Sequence, residues 1–328
     1  MKRLSILGAG SWGTALALAL APRFDSVRMW VFEEDLAERM KTNRENDVFL
    51  PGFALPPNIE FRSSIAEALE GAEFVLGVMP SHHARRVYTS ALPFLTPGCA
   101  LVSATKGLEN GSLLRMSQVI QQVTQLPVAA LSGPTFAREV ARGEPTALVV
   151  ASEDVDLSSR VQAAFSGPAF RLYTNCDPIG VETGAALKNV IAIGAGVCAG
   201  LGLGSNTMAA LITRGLAEIT RLAVAMGGKP LTLAGLAGLG DLVLTCTGEL
   251  SRNRTVGMEL AKGRKLDEII SGMKMVAEGV QTTYAAVDLA KKQGVELPIT
   301  SQMDSIFRHG KAPKDAIREL MERSLKGE

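Results

Sequence analysis

Six residues near the start of this 328-residue sequence, Gly8-Ala9-Gly10-Ser11-Trp12-Gly13, have a spacing suited to holding a dinucleotide. They follow an apolar run at 4–7 and open an alanine- and leucine-rich helical pattern. In such a turn Gly8 permits the tight bend, Gly10 lets a pyrophosphate approach the backbone, and Gly13 lets helix pack on strand. Unpaired N–H groups at the helix N-terminus then face the phosphates. The spacing alone is a weak signal, but its place at the head of a βαβ unit makes dinucleotide binding the expectation. The competing reading is a turn needed only for packing. The next apolar run ends Trp30-Val31-Phe32-Glu33-Glu34-Asp35. Glu33 or Glu34 could take the ribose hydroxyls of NAD. Both suit a solvated helix start equally well. No Arg or Lys stands at that strand end to meet the 2′-phosphate of NADP.

A nicotinamide cofactor moves a hydride, so the protein must supply a proton donor or acceptor and orient the substrate. Two lysines stand out. Lys106, in Ser103-Ala104-Thr105-Lys106-Gly107, lies just past a strand end, where open α/β sheets bind ligands. Lys188 interrupts an apolar helical pattern, where a buried amine is costly unless paired or used. Asp241, in Gly238-Leu239-Gly240-Asp241-Leu242, is an acid in an apolar stretch and needs a cationic partner; Lys188 is one candidate. Ser251-Arg252-Asn253-Arg254 precedes another helical pattern. Ser251 suits an N-cap, and the residues after it suit either a phosphate or a solvated helix start. His82 and His83, after Met79-Pro80-Ser81, read as surface residues rather than catalysts.

These residues need elements to position them. Up to about residue 178, strands are expected at 4–7, 27–31, 74–78, 100–104, 129–131 and 146–150. Helices are expected at 13–21, 35–44, 64–69, 84–92 and 113–121. That alternation predicts an α/β fold, a doubly wound Rossmann-type parallel sheet covered on both faces. Beyond Asp177-Pro178 only helical patterns follow: 182–226, 252–261, 266–271, 281–293 and 314–325. The expected division is therefore a dinucleotide-binding domain at 1–178 and an all-helical substrate and catalytic domain at 179–328.

Composition narrows the partners. With 34 Lys and Arg against 33 Asp and Glu, the net charge is +1, which gives no general reason to bind nucleic acid. Cys99, Cys176, Cys198 and Cys246 lie far apart and read as buried thiols in a reducing compartment. Three histidines and no CxxC spacing leave no metal site to expect. The basic, apolar start at 1–21 resembles a signal peptide, but its three glycines favour strand, turn and helix. The uncharged stretch at 189–213 is long enough to span a bilayer. Its glycines favour two buried helices joined by a bend, so no membrane insertion is expected. A cytoplasmic protein follows, with a homodimer as the expected assembly.

Taken together, the sequence resembles the NAD(P)-dependent glycerol-3-phosphate dehydrogenases of bacterial type over nearly its whole length. The motifs that carry the resemblance are Gly8-Ala9-Gly10-Ser11-Trp12-Gly13-Thr14-Ala15, Ala104-Thr105-Lys106-Gly107, Ser132-Gly133-Pro134-Thr135-Phe136-Ala137, Ala186-Leu187-Lys188-Asn189-Val190, and Gly240-Asp241-Leu242 with Ser251-Arg252-Asn253-Arg254. The resemblance implies reversible reduction of dihydroxyacetone phosphate to sn-glycerol 3-phosphate for phospholipid synthesis. It also implies a helical second domain of the 6-phosphogluconate-dehydrogenase type. Lys188 would exchange the proton at the C2 oxygen, with Lys106 touching substrate and cofactor. Gly133, Thr135, Asp241, Ser251, Arg252 and Asn253 would complete the substrate site. Ser11, Trp12, Ala137, Arg252, Val276 and Glu278 would contact NAD or NADP. Many relatives carry Arg or His near the end of the second strand, and here that cofactor-facing place is Phe32, which leaves the choice of dinucleotide open.

A lysine at its ordinary pKa is a poor base near neutrality. Burial and Lys106 would lower that of Lys188, and Asp241 would oppose them. Two other readings remain at this stage: a related two-domain hydroxy-acid dehydrogenase, and a non-catalytic dinucleotide-sensing regulator.

Overall fold

The chain's computed structural model describes residues 2–273, 277–325 and 327. Its central sheet is built from β1 (Arg3–Leu7), β2 (Ser26–Trp30), β5 (Ile59–Arg62), β6 (Phe74–Gly77), β7 (Ala100–Ser103), β8 (Val128–Ser132), β9 (Thr146–Ala151) and β10 (Phe170–Asn175). The order across the sheet is β10-β9-β8-β7-β6-β1-β2-β5. A separate hairpin, β3 (Glu45–Asn46) and β4 (Leu50–Ala54), follows the second helix. Strands β6, β7 and β8 are buried at every residue. Their apolar runs, without alternation, suit a sheet covered on both faces. One face packs against α1 (Ser11–Leu20), α2 (Glu34–Asn43) and α7 (Val155–Phe165), through Leu16, Leu20, Met40, Val161 and Phe165. The other packs against α3 (Ile65–Leu69), α4 (Ala84–Ala91) and α5 (Met116–Thr124), through Leu69, Val87, Tyr88 and Ile120.

The sheet departs from the all-parallel expectation at one place. β8 pairs with β9 in antiparallel fashion. The connection between them holds only α6 (Ala137–Ala141). It has no crossover helix to carry the chain back along the sheet, so the chain re-enters at the edge it has just left. Gly133 begins this reversal at φ 155°, where a Cβ would press on Leu148 Cα. β5, β10, the hairpin and α7 were not expected from the sequence. β10 alternates buried and exposed residues at the sheet's edge, so it lacks the continuous apolar run of the inner strands.

From Pro178 onward all regular structure among the described residues is helical. α8 (Pro178–Gly200) is surrounded by α9 (Ser205–Ala225), α11 (Asp241–Thr247), α12 (Arg252–Ala261) and α14 (Glu278–Gln293). The remaining helices are α10 (Pro230–Leu233), α13 (Leu266–Ser271), α15 (Pro298–His309) and α16 (Pro313–Met321), with one π-helical turn at Leu236–Gly240. α15 was not expected. α8 is long and apolar enough to cross a membrane, yet 89% of its most apolar window is buried inside the protein. Its contact with α12 is close because Gly196 and Gly257 face each other. A Cβ at Gly196 would collide with the Arg254 carbonyl, and one at Gly257 with the Ile193 carbonyl. That close approach draws the start of α12 toward the middle of α8.

Two expectations are corrected. The stretch after the bend at 201–204 is not a fully buried helix: residues 205–214 of α9 are exposed or half-buried. An uncharged sequence registers lack of charge, and here the tertiary packing covers only α8. Cys176 is exposed in the loop after β10, whereas the other three cysteines are buried. Its Sγ accepts from Lys229 Nζ at 3.2 Å.

Candidate active site

The glycine turn joins β1 to α1 as its spacing predicts. Gly8 adopts φ 120°, and a Cβ there would press on the Val78 carbonyl. At Gly13 a Cβ would collide with the Gly8 carbonyl, so this glycine sets the close helix–strand contact. At Gly10 a Cβ would meet no atom within 4 Å. Gly10 therefore borders open space, and its small size serves the approach of something other than this chain. No side chain caps α1, whose first residue is Ser11. The Trp12 indole N–H is buried without a hydrogen-bond partner. An uncapped helix N-terminus beside open space and an orphaned donor fit a bound pyrophosphate.

Two lysines and one aspartate converge beside this turn. Asp241, the first residue of α11, is fully buried. Its Oδ1 lies 2.8 Å from Lys188 Nζ, and its Oδ2 accepts from Lys106 Nζ at 2.9 Å. Lys106, just beyond β7, also donates to the Gly133 carbonyl and to Thr135 Oγ1, each at 3.2 Å. Its ammonium stands 5.9 Å from the centre of the Trp12 ring. Lys188, in the middle of α8, donates to Thr245 Oγ1 at 2.9 Å. Thr245 in turn donates to the Asp241 carbonyl at 2.6 Å. The sequence brought Lys106, Lys188 and Asp241 to notice but not Thr245. Thr245 stands four residues after Asp241, on the same face of α11.

Burial lowers the Lys188 pKa to about 8. Asp241 pulls the other way and Lys106 adds to the lowering, so desolvation outweighs the favourable ion pair. With both amines protonated, one carboxylate faces two cations and the cluster carries one excess positive charge. It is suited to an oxygen that gains negative charge during reaction.

The start of α12 is held against this cluster. Ser251 is the N-cap, its Oγ accepting from the Arg254 N–H. Asn253 donates through Nδ2 to Asn189 Oδ1 at 2.9 Å, one residue beyond Lys188. Its Oδ1 accepts from the Gly279 N–H at 3.0 Å. Glu278, next in line, accepts from Ser81 N–H and Oγ at 3.2 and 2.7 Å. Burial pushes the Glu278 carboxyl up, against the bonds from Ser81. The chain Asn189–Asn253–Gly279 and Glu278–Ser81 thereby ties α8, α12 and α14 to the loop after β6. Ser81 carries that contact, while the adjacent His82 is exposed. Arg252 is exposed in the first turn of α12.

The other expected residues are more dispersed. Ala137 begins α6 and packs on the core that contains α1. Phe32 lies past the end of β2 and contacts Trp30 and Arg86 rather than the lysines. Val276 lies outside the described residues. Among the described residues no group of three or more His, Cys, Asp or Glu side chains could hold a metal ion.

Two family descriptions match the chain: the N-terminal part of NAD-dependent glycerol-3-phosphate dehydrogenase over residues 3–158, and its C-terminal part over residues 177–318. A glycerol-3-phosphate dehydrogenase (NAD(P)+) of Koribacter versatilis is 58% identical, with 98% of each chain covered. One of Citrifermentans bemidjiense is 53% identical, covering 100% of this chain and 99% of the other. The crystal structure of a glycerol-3-phosphate dehydrogenase from Coxiella burnetii superposes with a TM-score of 0.95 at 40% identity, covering 98% of this chain and 99% of that one. By these matches, over a fold and a lysine–aspartate cluster placed beside a dinucleotide turn, the chain belongs to the NAD-dependent glycerol-3-phosphate dehydrogenase family.

Proposed function

We propose that this chain interconverts dihydroxyacetone phosphate and sn-glycerol 3-phosphate with NAD(P)(H). The observation that carries the reading is the Lys106–Asp241–Lys188 cluster beside the glycine turn, with Asp241 and Lys188 buried and Lys106 half-buried. The bound nicotinamide supplies the hydride in reduction and accepts it in oxidation. As hydride reaches the C2 carbonyl carbon, negative charge grows on the oxygen. Protonated Lys188 stabilises that charge and then gives its proton to it, so hydride and proton together make the alcohol. In oxidation the neutral amine takes the proton back. Asp241 and Thr245 orient the amine, and Asp241 tempers its loss of basicity.

Lys106, Gly133 and Thr135 line the substrate on the sheet side. Ser251, Arg252 and Asn253 present the start of α12 to the phosphate, which suits a dianion in both reaction directions. Such binding positions substrate without itself lowering the barrier. Gly8, Gly10, Ser11, Trp12 and Gly13 receive the pyrophosphate, and Phe32, Ala137, Arg252, Val276 and Glu278 complete the dinucleotide contacts. In this proposal residues 1–178 form the dinucleotide domain and 179–328 the substrate and catalytic domain.

The product supplies phospholipid synthesis in the cytoplasm. The protein is a homodimer in this reading, supported by the uncharged, incompletely buried face of α9 at 205–213. Sedimentation velocity tests that assembly, and a monomer at micromolar concentration rejects it. For the activity, oxidation of NADH and NADPH is followed with dihydroxyacetone phosphate, dihydroxyacetone and a panel of 2-keto acids. Turnover confined to the phosphorylated ketone is expected. Faster turnover of a keto acid would replace the reading with that of a hydroxy-acid dehydrogenase.

A further inference from the structure

Past the end of β2 the chain runs through Val31, whose N–H donates to the Arg62 carbonyl, to Phe32 and the N-cap of α2. In a dinucleotide-binding βαβ unit this is where the adenosine ribose arrives. Phe32 has neither an acceptor for ribose hydroxyls nor a donor for a 2′-phosphate. The residue is 64% exposed. It stands edge-on to Trp30, with centroids 6.0 Å apart, and Trp30 is itself fixed by donation from Nε1 to the Ser63 carbonyl at 2.9 Å. Phe32 thus offers a supported apolar plate at the place where relatives of this fold use a polar reader.

A cation from a different crossover faces that plate. The guanidinium carbon of Arg86, in the first turn of α4, lies 5.9 Å from the Phe32 centroid. The neighbouring arginines are committed. Arg28 pairs with Glu60 and Glu70, Arg62 with Glu60 and Glu67, and Arg85 with Glu109. Arg86, among the described residues, has no hydrogen bond or ion pair, and it is exposed. A guanidinium held by a ring face keeps its planar fork of donors available for phosphate oxygens.

We infer that Arg86, laid against Phe32, receives the 2′-phosphate of NADP. The adenosine 2′-position is then read from α4 instead of from the end of β2, and the chain accepts both dinucleotides. Glu33 and Glu34, exposed at the start of α2, oppose the phosphate and keep the preference for NADP modest. The inference rests on the dinucleotide reading of the glycine turn.

Direct binding tests it without turnover. NADP+, NAD+, 2′,5′-ADP and 5′-ADP are titrated by calorimetry against the wild type, Arg86→Ala and Arg86→Lys. Circular dichroism checks that the variants are folded. Arg86→Ala is expected to weaken NADP+ and 2′,5′-ADP about tenfold, equivalent to about 1.4 kcal/mol, and to leave NAD+ and 5′-ADP within twofold. Arg86→Lys should recover part of the loss. Equal weakening of all four ligands, or of none, overturns the inference while the dinucleotide reading stands. A wild-type protein that binds none of the four overturns both.

Discussion

Lys188 and Asp241 form a buried ion pair, 2.8 Å between Nζ and Oδ1, and the same carboxylate holds Lys106 on its other oxygen. Desolvation nonetheless prevails and brings the Lys188 pKa to about 8. The pair thus sets the amine where either protonation state is accessible near neutrality.

The first consequence is a pH dependence of opposite sign in the two directions. Reduction needs the protonated amine, so kcat/KM for dihydroxyacetone phosphate should fall as pH rises through about 8. Oxidation needs the neutral amine, so kcat/KM for glycerol 3-phosphate should rise over the same range. Both profiles are read from initial rates at constant ionic strength. Lys188→Ala should lose ~10²–10⁴-fold in turnover with dinucleotide affinity nearly unchanged. A flat profile, or near-normal turnover in the folded variant, would take the proton transfer away from Lys188.

Asp241 tests the balance behind that value. It is the main influence that raises the Lys188 pKa, against burial and Lys106. Asp241→Asn keeps the shape and removes the charge, so the oxidation profile should move to lower pH by a unit or more, about 1.4 kcal/mol per unit. An unmoved profile would show that the pair orients the amine without setting its basicity.

Arg252 is expected to act on the phosphate. Arg252→Ala should cost roughly 1.5–3 kcal/mol in kcat/KM for dihydroxyacetone phosphate and much less for dihydroxyacetone. Dinucleotide affinity is measured alongside, because the same residue is assigned to the cofactor. Equal losses on both ketones would exclude phosphate recognition.

A stability prediction concerns a second buried pair. Glu182 of α8 accepts from Ser117 N–H at 2.7 Å and Ser117 Oγ at 2.6 Å, and it pairs with buried Arg115. Glu182→Ala leaves the guanidinium buried without its counter-charge, which should cost about 3–5 kcal/mol. Replacing both, as Arg115→Met with Glu182→Leu, should recover much of the loss. Urea unfolding of the three proteins measures it, and a single variant as stable as the wild type would contradict the expectation.

Much of this site is legible in the sequence because some of its requirements are local. An apolar run followed by Gly8, Gly10 and Gly13 can do little else than turn from strand into helix, since a Cβ at Gly8 or Gly13 would press on the Val78 or Gly8 carbonyl. A lysine in the apolar pattern of α8, and an aspartate between glycines and leucines, announce themselves through the cost of burying a charge. Thr245 carries no such cost and passes unnoticed. The hairpin at 45–54 and edge strand β10 escaped for a similar reason, because partial exposure leaves no continuous apolar run.

The residues by themselves thus determined that a strand–turn–helix opens the chain, that α/β alternation gives way to helices near residue 178, and that Lys106, Lys188 and Asp241 must find partners. Only the tertiary structure decided which partners they are. Asp241 is 135 residues from Lys106 and 53 from Lys188, and it reaches both because the π-helical turn at Leu236–Gly240 feeds α11 in beside α8. It also decided that β9 runs against β8, that Asn253 ties α12 to α8, and that Arg86 faces Phe32. A burial cost is a property of one residue in its own segment, whereas its compensation depends on where the rest of the chain has packed.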